Sequence, residues 1–171
     1  MSAEPWVCII VVNYNSGNLL QVCVNALARQ TMPDFEVIIF DNHSTDGSIV
    51  DLVLPDGRFR VQHASVNLGF AAANNRAIYA CSAHWIIALN PDVRPSQHWL
   101  RELRSATERY PWAHAFGSTQ LQTENPRVVD GFGDVLSVWG FAWRGLGGYP
   151  ARALPRDDRE VFAPCGAAAL Y

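Results

Sequence analysis

Apolar runs separated by polar punctuation give the chain its first reading. Trp6-Val7-Cys8-Ile9-Ile10-Val11-Val12 is continuous and rich in β-branched residues, the composition of a strand buried on both faces of a parallel sheet. It ends in the polar loop Asn13-Tyr14-Asn15-Ser16-Gly17. Over residues 18–30 the apolar positions Leu19, Leu20, Val22, Cys23, Ala26 and Leu27 form a helical stripe, with an amide or serine at hand as cap. Phe35 to Phe40 predicts a second strand, closing at Asp41-Asn42. Ser44-Thr45-Asp46-Gly47-Ser48 then predicts a helix start running into residues 49–54. Residues 58–63 carry a weaker strand pattern, and Asn67-Leu68-Gly69-Phe70 opens an alanine-rich helix through about residue 80. The run from Trp85 to Leu89 is the central strand. It stops at Asn90-Pro91-Asp92, where the proline removes a ladder donor and forces a turn. A helix over residues 96–109, entered through Pro95, follows.

Strands separated by helical patterns predict right-handed βαβ units, and so an α/β fold with a mostly parallel sheet covered by helices on both faces. Beyond Ala113 the regularity fades. Residues 114–122 suit one further strand, while residues 131–148, rich in glycine and aromatics, suit a long loop or irregular hairpin. Loops of that length in compact domains tend to be functional lids or disordered segments.

A length of 171 residues with 49% hydrophobic and 17% charged residues fits one folded domain with its own core. Net charge is -3 without a basic block, so nucleic acid is not an expected partner. The four cysteines are scattered, with no CxxC pair and no histidine at zinc spacing, which leads us to expect reduced, buried thiols. Glu4 and Pro5 interrupt the amino terminus, and Trp6 to Val12 is too short to span a bilayer. A cytoplasmic location is expected, with peripheral association at the inner face of the membrane compatible and homo-oligomerisation left open.

The strand ends carry the candidate chemistry. Asn13, Tyr14 and Asn15 end the first strand, Asp41 and Asn42 the second, Asn67 follows the third, and Asn90 with Asp92 ends the fourth. In a parallel sheet these ends converge on one edge, a crevice whose amides and carboxylates suit a base edge, ribose hydroxyls and a metal-bound diphosphate. Turn and helix-cap chemistry uses the same residue types. Gly145-Leu146-Gly147-Gly148 lacks the strand and helix of a phosphate-cradling loop and reads as flexible. Trp139, Phe141, Trp143 and Tyr149 suit stacking on a sugar or acceptor, and equally suit packing a loop onto the sheet. Arg144 and Arg152 read as surface charge.

Four blocks together resemble the family-2 inverting glycosyltransferases of GT-A fold, the rhamnosyltransferase-like branch above all. They are Val11-Val12-Asn13-Tyr14-Asn15, Asp41-Asn42-His43-Ser44-Thr45-Asp46-Gly47-Ser48, Asn67-Leu68-Gly69-Phe70-Ala71-Ala72-Ala73-Asn74-Asn75 and Leu89-Asn90-Pro91-Asp92. Val161-Phe162-Ala163-Pro164-Cys165-Gly166-Ala167-Ala168-Ala169-Leu170 is similar to the segment after the donor site in that branch. The resemblance implies polysaccharide biosynthesis, a nucleotide-diphospho-sugar donor (dTDP-rhamnose first, UDP- or GDP-sugar otherwise) and a glycan or lipid-linked acceptor. By position, Asn13, Tyr14 and Asn15 would border the base and Asp41, beside Asn42, would accept from its imide edge. Asn67, Gly69 and Phe70 would turn near the ribose and diphosphate. Asp92 would contact Mg2+ or Mn2+, with Asn90 in place of the first aspartate of the usual DXD-type motif. Residues 1–110 would be the donor-binding half and 111–171 an incomplete start of the acceptor side.

One departure bears on catalysis. The family's general base lies downstream of the Gly-Ala segment, a position expected beyond Tyr171, while Asp157, Asp158 and Glu160 precede that segment and read as a solvated loop. The resemblance therefore implies the donor portion of a transferase, truncated before its base. Two alternatives stay open. One is a non-catalytic nucleotide-sugar-binding module. The other is a sugar-phosphate nucleotidyltransferase, which should carry a basic, glycine-rich loop where Asn13-Tyr14-Asn15-Ser16-Gly17 stands.

Overall fold

The computed structural model describes residues 4–171. Its main sheet has six strands, in the order β3 (Phe59–His63), β2 (Phe35–Asp41), β1 (Val7–Asn13), β4 (Trp85–Leu89), β10 (Ala168–Leu170) and β5 (Phe116–Gly117). The four leading strands, β1 to β4, are all parallel. All seven residues of β1 are buried, as a continuous β-branched run at the centre of a covered sheet requires. Two late segments finish the sheet. β10 pairs antiparallel with β4, and β5 pairs antiparallel with β10.

Alternation along the strands sorts side chains into two cores. Val7, Ile9 and Val11 face α1 (Leu19–Ala28) and α3 (Trp99–Arg109), packing with Leu20, Val24, Leu27, Leu100 and Leu103. Burying each such aliphatic side chain contributes about 1.5–3 kcal/mol. On the opposite face Cys8, Ile10 and Val12 meet Ile38, Phe40, Ala73 and Ala77, the last two from α2 (Phe70–Ile78). Helices therefore cover both faces, as the alternating pattern leads one to expect.

The structure departs from the sequence reading in three places and decides between two readings in a fourth. No helix forms over residues 44–54, where Asp46, Gly47 and Ser48 make turns instead. Asp46 Oδ1 accepts from Ser48 N at 3.0 Å and from Ser48 Oγ at 2.6 Å, and Gly47 sits at φ 81°. Local side-chain bonds thus satisfy the backbone that a helix would have used. The strand expected over residues 114–122 breaks into β5 and β6 (Gln120–Leu121), the latter pairing with β7 (Val129–Gly131). In the glycine-aromatic stretch the hairpin reading, rather than the long loop, is the one found, with β8 (Asp134–Leu136) against β9 (Ala142–Arg144). Lastly, Cys8 and Cys81, expected as thiols, are joined in a disulfide, because the turn after α2 brings their Cα atoms to 6.0 Å. Cys23 and Cys165 are free and buried.

Candidate functional site

Strand order reverses at β1, whose neighbours are β2 on one side and β4 on the other. Register keeps the carboxyl ends level: Asn13 lies opposite Asp41, Asp41 opposite His63, and Val11 opposite Leu89. A cleft of about 450 Å³ opens there, a size suited to a small-molecule ligand. Its floor and walls come from Val12, Tyr14, Asn42, Asn67, Gly69, Phe70, Asn90 and Asp92. Seven of the ten residues expected at the site line it, and Asn13, Asn15 and Asp41 do not.

Those three lie behind the cleft and build it. Asn13 is fully buried, and its Nδ2 lies 3.1 Å from Asp41 Oδ1, 3.0 Å from Ser44 Oγ and 3.0 Å from Ser48 Oγ. Asp41 is 4% exposed, and its second oxygen accepts from Ser44 N at 3.4 Å and lies 3.6 Å from His63 Nδ1. Asn15, at φ 52°, stitches two loops, donating from N to Ser44 Oγ at 3.1 Å and accepting from Thr45 N at 2.8 Å. Asn42 rather than Asp41 reaches the lining. Its amide donates to Asn67 Oδ1 at 2.8 Å and accepts from Leu68 N at 2.8 Å, tying the end of β2 to the entry of α2. Asn67 Oδ1 also accepts from Gly69 N at 2.8 Å. Gly69 adopts φ 78°, a left-handed conformation that points the chain into α2 and leaves the helix's first turn on the cleft wall. Backbone N–H groups and the helix dipole at such a terminus favour an anion.

Asp92 is the single carboxylate among the cleft's described lining residues, and no ion pair engages it among the described residues. The turn that presents it is closed by Val93 N donating to Asn90 O at 3.2 Å. Beneath it lies Cys23 of α1, its Sγ 3.9 Å from Asn90 O. Burial, and secondarily the Asp92 charge, push the Cys23 thiol up to about 12, so it stays protonated and unreactive. Sequence reasoning did not connect Cys23 with Asp92, since 69 residues separate them (92 − 23). One exposed carboxylate and neutral amides suit a hard cation that takes its remaining ligands from phosphate oxygens and water. The donor set fits Mg2+ or Mn2+ on that condition.

A second groove of about 670 Å³ lies between the β8–β9 hairpin and residues 155–162, lined by Phe132, Leu136, Trp143, Tyr149 and Phe162 among others. Trp139 and Phe141 at the hairpin tip are 83% and 72% exposed, so they do not pack the loop onto the sheet. Arg144 pairs with Asp130, and Asp158 pairs with Arg109 at 2.8 Å, both on the surface. Asp157, Asp158 and Glu160 are exposed, as a solvated loop should be. No helix among the described residues is long and apolar enough to cross a membrane.

Comparisons with known proteins agree with this geometry. A curated relative, the PGL/p-HBAD biosynthesis glycosyltransferase of Mycobacterium tuberculosis, is 31% identical over 93 residues, covering 53% of this chain. The chain spans 36% of that relative's length. Among solved structures, S. aureus TarS 1-349 in complex with UDP-GlcNAc aligns with a TM-score of 0.58 at 21% identity, covering 68% of this chain and 34% of TarS 1-349. The mannosyltransferase PcManGT from Pyrobaculum calidifontis, in complex with GDP-Man and Mn2+, gives 0.57 at 22% identity, covering 70% of this chain and 36% of its own. These likenesses establish the GT-A fold. The description of glycosyl transferase family 2 matches residues 8–161, and the chain belongs to that family.

Proposed function

We propose that this chain is the donor-binding portion of a transferase that moves a sugar, rhamnose first among candidates, from a nucleotide diphosphate to an acceptor hydroxyl with inversion. The observation that carries this reading is the level set of strand ends, which puts Asn42, Asn67, Asn90 and Asp92 around one cleft beside the first turn of α2. The base lies between Val12, Tyr14 and Asn42, with Asn42 taking the imide-reading role expected of Asp41. Asn67, Gly69 and Phe70 hold the ribose and diphosphate. Asp92, helped by Asn90, would hold Mg2+ or Mn2+, and such a cation would supply neutralisation of the charge that builds on a departing diphosphate. The relatives with UDP-GlcNAc and with GDP-Man and Mn2+ support a nucleotide-sugar donor and a divalent cation.

Asp92, as the cation ligand, cannot also deprotonate the acceptor, so the base comes from outside the described lining. Residues 111–171 begin the acceptor side, and the aromatic groove beside the hairpin suits a glycan or lipid-linked acceptor.

Thermal unfolding with UDP, dTDP and GDP, each with and without Mg2+ or Mn2+, tests the reading. Nucleotide at about a hundred times its dissociation constant stabilises the fold by roughly 2.7 kcal/mol. A cation-dependent shift with one nucleotide, lost in Asp92→Ala, is the expected outcome. No shift with any nucleotide would leave the chain with the fold and no donor site.

A further inference from the structure

At the far end of α2 from the cleft, two sulfurs and a carboxylate meet. Cys8 is fully buried on the α2-facing side of β1, and Cys81, half-buried just beyond α2, is bonded to it. A carboxylate oxygen of Glu36, on β2, lies within 4.8 Å of both sulfurs. Glu36 Oε2 pairs with Arg60 at 2.9 Å, and Arg60 also donates to the Ala80 carbonyl beside Cys81. Glu36 Oε1 is shut off from solvent and has no hydrogen-bond partner.

We propose that Cys8 and Cys81 form a reversible exchange site for an external dithiol, whose opening frees α2 and loosens the wall of the cleft. The consequence for the cleft rests on the donor-site reading above. Three observations converge on it. An orphaned buried acceptor is costly, and opening the disulfide supplies S–H donors beside the Glu36 carboxylate, whose Oε1 lacks a partner in the closed form. Cys81 is the partly exposed residue of the pair and Cys8 the fully buried one, so an incoming thiolate attacks Cys81 and displaces Cys8. Of α2 itself only Ala73 and Ala77 are buried, two methyl groups against the sheet, so the covalent tie supplies much of the helix's anchorage.

The exchange balances without a further reactant. The external thiolate bonds to Cys81 Sγ as the Cys8–Cys81 bond breaks, and its electron pair leaves on Cys8, which takes a proton. The second external thiol then displaces Cys81, leaving two protein thiols and one external disulfide. The opposite end of the freed helix carries Gly69 and Phe70, both in the cleft lining.

The test uses the whole chain, oxidised with glutathione disulfide or reduced with dithiothreitol under native conditions. Thiols are counted by alkylation and mass after denaturing quench, and amide exchange and nucleotide affinity are followed in each state. Reduction should raise the thiol count by one pair above Cys23 and Cys165, speed exchange of α2 amides by about tenfold while leaving α1 unchanged, and weaken nucleotide binding several-fold. Cys81→Ser should match the reduced form in both conditions. A disulfide that dithiothreitol cannot open in the folded chain, or one whose opening leaves α2 exchange unchanged, overturns the proposal. Absence of nucleotide binding in both states defeats the donor reading instead, and the exchange of α2 still decides whether the pair is a switch.

Discussion

Gln30, two residues beyond α1, is 7% exposed and its amide is fully used. Nε2 donates to Ser96 O at 2.7 Å, and Oε1 accepts from Leu100 N at 3.0 Å. His98 at the start of α3 makes no side-chain cap bond, so a residue just past the end of another helix satisfies one of α3's orphan amides. Gln30→Leu should cost about 1–3 kcal/mol, read as a lower urea midpoint, because Leu100 N and Ser96 O are left without it. Gly69→Ala tests a different cost. An added Cβ there meets nothing within 4 Å, so the penalty is the backbone alone, φ 78° with ψ 167° being a region essentially reserved for glycine, about 1–3 kcal/mol, visible as a drop in thermal midpoint. The adjacent pair Asp41 and Asn42 marks where residue-level reading stops. Both types suit a strand end, but successive residues in extended chain face opposite ways, and only the fold decides that Asn42 lines the cleft while Asp41 is sealed behind it.

Among the elements, β1, β2 and β4 are legible because buried strands need apolar runs, present at residues 7–12, 37–40 and 85–89, while the half-exposed β3 gives only a weaker pattern. Segment 44–54 was misread because a cap-like Ser-Thr-Asp-Gly-Ser can close on itself, and Val50 and Val53, 83% and 69% exposed, bury no face that would hold a helix. The Cys8–Cys81 pairing was invisible, since 73 residues of sequence say nothing about which turn ends beside which strand. The loop that replaced the helix has its own pH signature. Hydrogen bonds from Ser48, with Gly17 N adding another, hold the Asp46 carboxyl below its ordinary value. The loop's stabilisation is therefore complete above the ordinary carboxylate pKa of about 4 and is lost as pH falls through the lower folded value. Protection of the Gly17 and Ser48 amides, measured as exchange relative to the intrinsic rate at each pH, should fall below that point in the native chain and show no such step in Asp46→Asn. In the hairpin, a Cβ on Gly133, already at φ 65°, would stand 2.6 Å from the Val161 side chain. Gly133→Ala should detach β8 from its bridge to Ala163 and quicken exchange of the hairpin amides, leaving those of β1 and β2 protected.

For the molecule as a whole, the α/β expectation with a mostly parallel sheet held because alternation and handedness are encoded in the apolar pattern, whereas the GT-A architecture was implied by the four motif blocks that resemble the family. What the pattern could not supply is the antiparallel insertion of β10, three short residues without a strand signature of their own. Leu170→Asp should bury a charge beside Ile87 and abolish soluble expression, with size exclusion as the readout. The position of β10 also has a temporal side. As the chain emerges from the ribosome, β1 to β4 can assemble early, but the free edge of β4 stays uncovered until residues 168–170 have been synthesised. Through that interval a nascent chain offers an apolar strand edge to any neighbour, so its yield in the cell depends on how fast translation runs and on holdase capacity.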